Sequence, residues 1–201
     1  MDNSISSIVP DNTSGIDSDN SFSVTLADDT AAKNLFLQAK QKLLNVNRWH
    51  EWSGKGSAVF QLTDEKGNAV DRNVQLGDHF KINIPLLGNI GGEGYDWVQV
   101  EAIDNHSEKN REAIAIRVRP ANDPSNTKEE ITHFFSDEAS STFSVIRTDN
   151  AVTASVQGRN EKPNTDAGNV MDKIRNTIVA TGAMMGLNKP QWKSLARGLL
   201  S

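Results

Sequence analysis

Four histidines are the first residues in this chain of 201 to ask for chemistry: His50, His79, His106 and His133. None stands in a His-x-His or His-Glu-x-x-His spacing, so no metal site is legible from local sequence. As a general base, any of them would need a second titratable group converging on the same pocket. His106 lies in a polar stretch and strand alternation turns His79 toward solvent, whereas His50 and His133 flank aromatic residues and can reach a pocket. The cluster Gly88-Asn89-Ile90-Gly91-Gly92-Glu93-Gly94 offers bare backbone amides to an anion. No Gly-Lys-Ser/Thr opens a helix there, a strand follows instead, and Glu93 would repel phosphate. The cluster therefore reads as a strand connection or a lid. Arg159-Asn160-Glu161 reads either as a polar triad at one end of a pocket or as surface charges before a helix capped by Asn164 or Thr165. No catalytic residue, metal site or cofactor is assigned.

Composition narrows the classes. The 21 basic and 26 acidic side chains give a net charge of −5, with no basic stripe, which argues against a general nucleic-acid or anionic-membrane binder. The chain has no cysteine, so disulfides, thiol nucleophiles and thiolate metal sites are excluded. Mean hydropathy is −0.52, and no apolar run approaches the ~20 residues of a membrane span. No Lys or Arg precedes Lys33 and no apolar leader follows the start, so a cytoplasmic location is expected.

The elements that must position these residues come next. Residues 1–20 are mostly Ser, Asn, Asp and Thr, which predicts a flexible N-terminal tail ahead of a single domain over 21–201. Ser21 to Leu26 alternates as a strand. Asp28, Asp29 and Thr30 start a helix running through Ala31 to Val46, which ends in Arg48-Trp49-His50-Glu51-Trp52. Strands are expected at Ala58 to Leu62, Phe80 to Ile84, Tyr95 to Ile103, Glu112 to Arg119, Thr142 to Arg147 and Ala151 to Gln157. Asp104 to Asn110 reads as a polar loop, and Asn126 to Phe135 as either a helical turn or a strand. A long helix from about Asn164 to Met185 carries Met171, Ile174, Ile178 and Met185 on one stripe. A short helix restarts at Asn188-Lys189-Pro190, with Trp192, Leu195, Leu199 and Leu200 as an apolar stripe that packs back on the body.

Side by side, the best strands place Phe80, Ile82 and Ile84, then Ile114, Ile116 and Val118, then Val152, Ala154 and Val156 on one face. His79, Lys81, Arg117, Arg119, Thr153 and Gln157 fall on the other. This is an antiparallel sheet with one dry face, covered by helix. Tyr95 and Trp97 share a face with Gln99 and Glu101, opposite Val98, Val100 and Ala102, and so lie outside the sheet.

One strand, a helical segment closing in Arg48-Trp49-His50-Glu51-Trp52, about six more strands, Gly158-Arg159-Asn160-Glu161 and a long final helix is a recognisable order. It resembles the START / polyketide-cyclase-like superfamily (SRPBCC), which includes the birch-pollen-type allergens, over roughly residues 21–186. The resemblance implies an α+β helix-grip fold: a curved antiparallel sheet of about seven strands packed on a long C-terminal helix. Between them it implies an apolar cavity. The superfamily has no universal catalytic signature, so no catalytic residue is carried over.

Within such a cavity, Trp49, Trp52, Phe60, Phe80, Ile82, Ile116, Phe143, Ile178 and Met185 would line the ligand site. His50, Tyr95, His133 and Arg159 are the candidate polar groups at its margin. Trp49 and Trp52 either face the ligand or anchor helix to sheet. The expected function is binding of a hydrophobic small molecule (a lipid, an aromatic or a polyketide-like compound). One alternative is a cyclase or dehydratase using His50 or His133 as base; another is an interaction module with a filled core, using Tyr95, Trp97 or Trp192. The chain is expected to be a monomer or a homodimer.

Overall fold

The computed structural model describes residues 8–54, 57–83, 95–125, 135–162 and 188–201. Seven strands form one sheet: β1 (Ile16–Thr25), β2 (Val59–Thr63), β3 (His79–Asn83), β4 (Asp96–Glu108), β5 (Arg111–Pro120), β6 (Ser140–Thr148) and β7 (Ala151–Glu161). Their spatial order is β1-β7-β6-β5-β4-β3-β2, every neighbouring pair antiparallel. Helices α1 (Asp29–Leu44) and α2 (Trp49–Ser53), joined by a 3-10 turn at Val46–Arg48, lie between β1 and β2 in the chain. Helix α3 (Asn188–Leu199) follows the sheet. The fold is α+β, a curved seven-stranded antiparallel sheet with its helices on one face.

Helix α1 starts where its sequence says it should. The Asp28 carboxylate accepts from the Ala31 amide at 2.8 Å, and Asp29 sits in the first turn at the positive end of the helix dipole. Ala32, Phe36, Ala39 and Leu43 recur at helical spacing and are all buried. They meet Ile114, Ile116, Val118, Phe143, Val145, Val152, Ala154 and Val156 of the sheet in one continuous core. The expected dry face is thus the inner face, with Phe80 completely buried and Ile82 packed at its rim.

Helix α3 also forms at its expected signals. Leu195, Ala196 and Leu199 are fully buried, and Trp192 packs against the same core. Gly198 permits this seating, because a Cβ there would overlap the Trp52 carbonyl of α2. The Lys42 ammonium, on the last turn of α1, donates to the Gly198 carbonyl at 3.1 Å and so caps the end of α3. The expected long helix at 164–185, with Ile178 and Met185 on its stripe, lies outside the described residues, as do Ile84, the glycine cluster at 88–94 and residues 126–134.

Expectations change on the outer face, at three places along the chain besides His79. Residues 8–20 do not behave as a free tail: β1 begins at Ile16, and Ile8 is 5% exposed against Ala113 and Ala115. Isolated apolar residues in a polar segment find a partner when the sheet offers small side chains beneath them. The segment is fastened at both ends. Arg117 donates to the Ile8 carbonyl at 2.7 Å, and the Asn160 side-chain carbonyl accepts from the amides of Thr13 and Ser14 at 2.7 and 3.0 Å.

Second, β4 continues through the expected loop to Glu108 and carries a bulge between Val100 and Ala102. The extra residue, Glu101, reverses the alternation. Ala102 therefore joins Ile8 outside, while Ile103 turns into the core. The Glu101 carboxylate is gripped by Arg117 and Arg119. Third, Trp97 lies outside as expected but is buried, at 4% exposure.

Candidate functional site

The inner face gathers aromatic residues from every layer. Trp49 begins α2 and is fully buried. Its ring centroid lies 5.3 Å from Phe60, 5.7 Å from Phe80 and 4.6 Å from Phe143, the first two in edge-to-face geometry. Trp192 of α3 closes the group at 6.0 Å from Phe60 and 5.5 Å from Phe143. These separations are those at which ring quadrupoles attract. The Trp49 indole N–H donates to the Leu43 carbonyl at 3.1 Å, so the ring is fixed in orientation as well as position. Four of the expected lining residues, Trp49, Phe60, Phe80 and Phe143, therefore meet at one point, with Ile82 and Ile116 in the same core. Trp192 belongs to the group too; its place on the short helix's stripe was the available signal.

Trp52 stands one turn along α2 from Trp49. It is partly buried, and the Lys42 and Arg48 cations lie 5.6 and 5.8 Å from its ring centroid. It supports the contact between α2 and α3 rather than the cluster itself.

The polar candidates scatter. His50 is exposed on α2. Tyr95 lies beneath Lys81, whose ammonium is 3.9 Å from the ring centroid and 5.6 Å from that of Trp97, on the outer side of the sheet. Arg159 binds the Asp19 carboxylate at 2.9 Å and the carbonyls of Ser18 and Gly158, which ties β7 to β1. Burial acts to raise the Asp19 carboxyl, but hydrogen bonds from Gln157 and Arg159 and the Arg159 charge bring it below its usual range. Asn160 holds the N-terminal segment, with its backbone at φ 55°. His133 lies outside the described residues.

The buried titratable groups of the described residues sit elsewhere, and Arg147 and His79 are among those the sequence reading missed. Arg147 is completely buried at the end of the inner face. It binds Glu112 at 2.7 Å, Asp29 of α1 at 2.6 Å and the Asp149 carbonyl at 2.8 Å. The signal was parity: Arg147 follows Phe143 and Val145 in steps of two, and Glu112 precedes Ile114 in the same way.

His79 is the second. It is 6% exposed on the outer face, not solvated, and Nδ1 has no hydrogen-bond partner among the described residues. Burial pushes its pKa down, against a hydrogen bond to the Asp64 backbone and the charges of Asp78, Asp123 and Asp64. An unfolded histidine titrates near ~6.5, so below that pH the unfolded chain binds a proton the folded one refuses. Stability is therefore full above about pH 6.5 and falls as pH drops toward the lower folded pKa, by up to about 1.4 kcal/mol per pH unit. Urea midpoints between pH 7.5 and 5 should show a shallower decline in His79→Gln; an unchanged decline would assign the titration to other groups.

No protein-family model matches the sequence, and no curated protein is a significant match. Solved structures do resemble it. A hypothetical protein from Helicobacter pylori superposes with a TM-score of 0.50 at 10% identity, over 93% of this chain and 87% of that one. Truncated norcoclaurine synthase from Thalictrum flavum gives 0.43 at 8% identity, covering 95% and 96%. Ginseng major latex-like protein 151 from Panax ginseng gives 0.36 at 13% identity, covering 92% and 97%. At these identities the likeness is one of fold alone. By its element order, its strand order and the helices on its inner face, the chain has an α+β fold in which a curved seven-stranded antiparallel sheet packs on helices, and it is to this arrangement that these solved structures are similar.

Proposed function

We propose that the chain binds a hydrophobic small molecule, of aromatic or lipid-like character, between the inner face of the sheet and its helices. The observation that supports this reading is the convergence of Trp49, Phe60, Phe80, Phe143 and Trp192 from two helices and three strands. Rings in edge-to-face contact present both faces and edges to a flat apolar guest, and Ile82 and Ile116 extend the apolar wall. Trp192 is only partly buried and belongs to a separate, short helix, which makes α3 the element to move when a guest enters. Ile178 and Met185 are proposed to complete the lining. Of the two candidate bases for a cyclase-type reaction, His50 is exposed and does not face the aromatic cluster, and His133 lies outside the described residues.

Native mass spectrometry of the purified protein, compared with its denatured mass, tests this directly. The expected result is an adduct lost on denaturation, or saturable quenching of tryptophan fluorescence by 1-anilinonaphthalene-8-sulfonate that weakens in Trp192→Ala. A clean mass together with no fluorescence response would reject the reading. Among the described residues no helix is long and apolar enough to cross a membrane.

A further inference from the structure

A seven-stranded sheet ends in two edges, and this fold treats them differently. The β2 edge is five residues long and is blocked by side chains. The Asn47 side-chain carbonyl accepts from the Leu62 amide at 2.6 Å, and the Gln191 side-chain carbonyl from the Ala58 amide at 3.2 Å. The Val70 amide donates to the Leu62 carbonyl. These contacts stand where a further strand would bond, which is how natural sheets refuse unwanted pairing.

The β1 edge is ten residues long. The Leu26 amide bonds to the Asn150 carbonyl, so by antiparallel alternation the even-numbered residues of β1 face β7. Asp17, Asp19, Ser21, Ser23 and Thr25 then aim their backbone amides and carbonyls away from the sheet. Among the described residues nothing bonds to those groups. From Ser18 to Thr25 the register is continuous, with no bulge, proline or lysine to spoil it. The core is only partly covered here: Phe22, with the Arg197 guanidinium 5.1 Å from its ring centroid, and Val24 are partly buried, whereas Val152, Ala154 and Val156 beside them on β7 are buried.

The sequence of the edge selects its partner. Acids lie at one end, Asp17 and Asp19, and hydroxyls at the other, Ser23 and Thr25. A parallel copy would stack acid on acid, while an antiparallel copy sets each acid against a hydroxyl. We propose that β1 pairs with β1 of a second copy about a two-fold axis at Ser21, continuing the sheet through a homodimer. About ten backbone hydrogen bonds would form, in an isologous contact, and Phe22 and Val24 would gain cover.

The absence of cysteine makes the test clean. In Ser21→Cys the sole thiol meets its own copy across a hydrogen-bonded pair, ~5.5 Å between Cα atoms, within disulfide reach. Oxidation should convert Ser21→Cys largely to a covalent dimer and Ser23→Cys, whose counterpart is Asp19, far less. Light scattering at high micromolar concentration should give the mass of a dimer for the unaltered chain. Ser23→Pro removes one outward amide and none toward β7, and should be monomeric with its melting retained. If that variant does not fold, Ser23→Asp, which sets acid against acid, carries the same test. A monomeric unaltered chain would overturn the proposal, since a foreign strand or a cover from the same chain would leave it so. Equal cross-linking of the two cysteine variants, or a Ser23→Asp dimer as stable as the original, would also overturn it.

Discussion

Trp49→Ala should lower the free energy of unfolding by about 3–5 kcal/mol, the range for deleting a fully buried large aromatic. The ring touches Phe60, Phe80 and Phe143 and joins the short helix to three strands at once. Its removal leaves a hole that rings held on a sheet cannot collapse to fill, so the cavity cost adds to the lost burial. Trp49→Phe separates the two contributions of the residue. It keeps most of the ring contact but strands the Leu43 carbonyl inside the core, for a loss of about 1–2 kcal/mol. Urea denaturation of the two variants measures both. A Trp49→Ala loss under about 1 kcal/mol would mean the cluster is loosely packed, against the reading of Trp49 as its centre.

Arg147→Leu should cost a similar amount, about 3–5 kcal/mol, for an electrostatic reason. The guanidinium is completely buried, and its removal leaves Glu112 without its cross-strand partner and frees the first turn of α1 from the sheet. Leucine restores apolar volume but donates none of those bonds. Since the penalty comes from the abandoned acid, adding Glu112→Leu should recover part of the loss, and a double-mutant cycle reads the coupling. Additive losses would show that the pair is not coupled. Asp29 should matter less, because it lies at the exposed end of α1 and keeps its bond to Lys33.

Both predictions rest on inner-face positions, and that face was the most legible part of the chain. Strict alternation in β5 and β7 and the 3.6-residue spacing in α1 repeat often enough for each residue to confirm the next. Arg147 and Glu112 obey the same parity, yet a charge on a dry face is discounted until its partner is seen, and the partner is 35 residues away. The outer face was harder to read. One inserted residue, Glu101, moves Ala102 out and Ile103 in, and a bulge has no period to betray it. His79 and Trp97 are buried on a face whose pattern says water. Asp64, Asp78 and Asp123 stand around His79, Lys81 lies over Trp97, and Ile8 covers Ala113 and Ala115, none of which a strand pattern announces. The meeting of Trp49, Phe60, Phe80, Phe143 and Trp192 could be expected by kind but not by partner, because sequence does not say which rings will touch.

The pairing of β1 with β7 also governs how the chain is made. Thr25 bonds opposite Ala151, and Lys42 waits for the carbonyls near Gly198. At ribosomal speeds of about 5–20 residues per second, β1 emerges on the order of ten seconds before the strand that will hold it. For that interval it lacks its β7 neighbour, and Phe22 and Val24 have no core to join. An element made this early relative to its partner is among the last to be secured, so nascent chains of this protein are most vulnerable to aggregation, and most in need of chaperone cover, at β1.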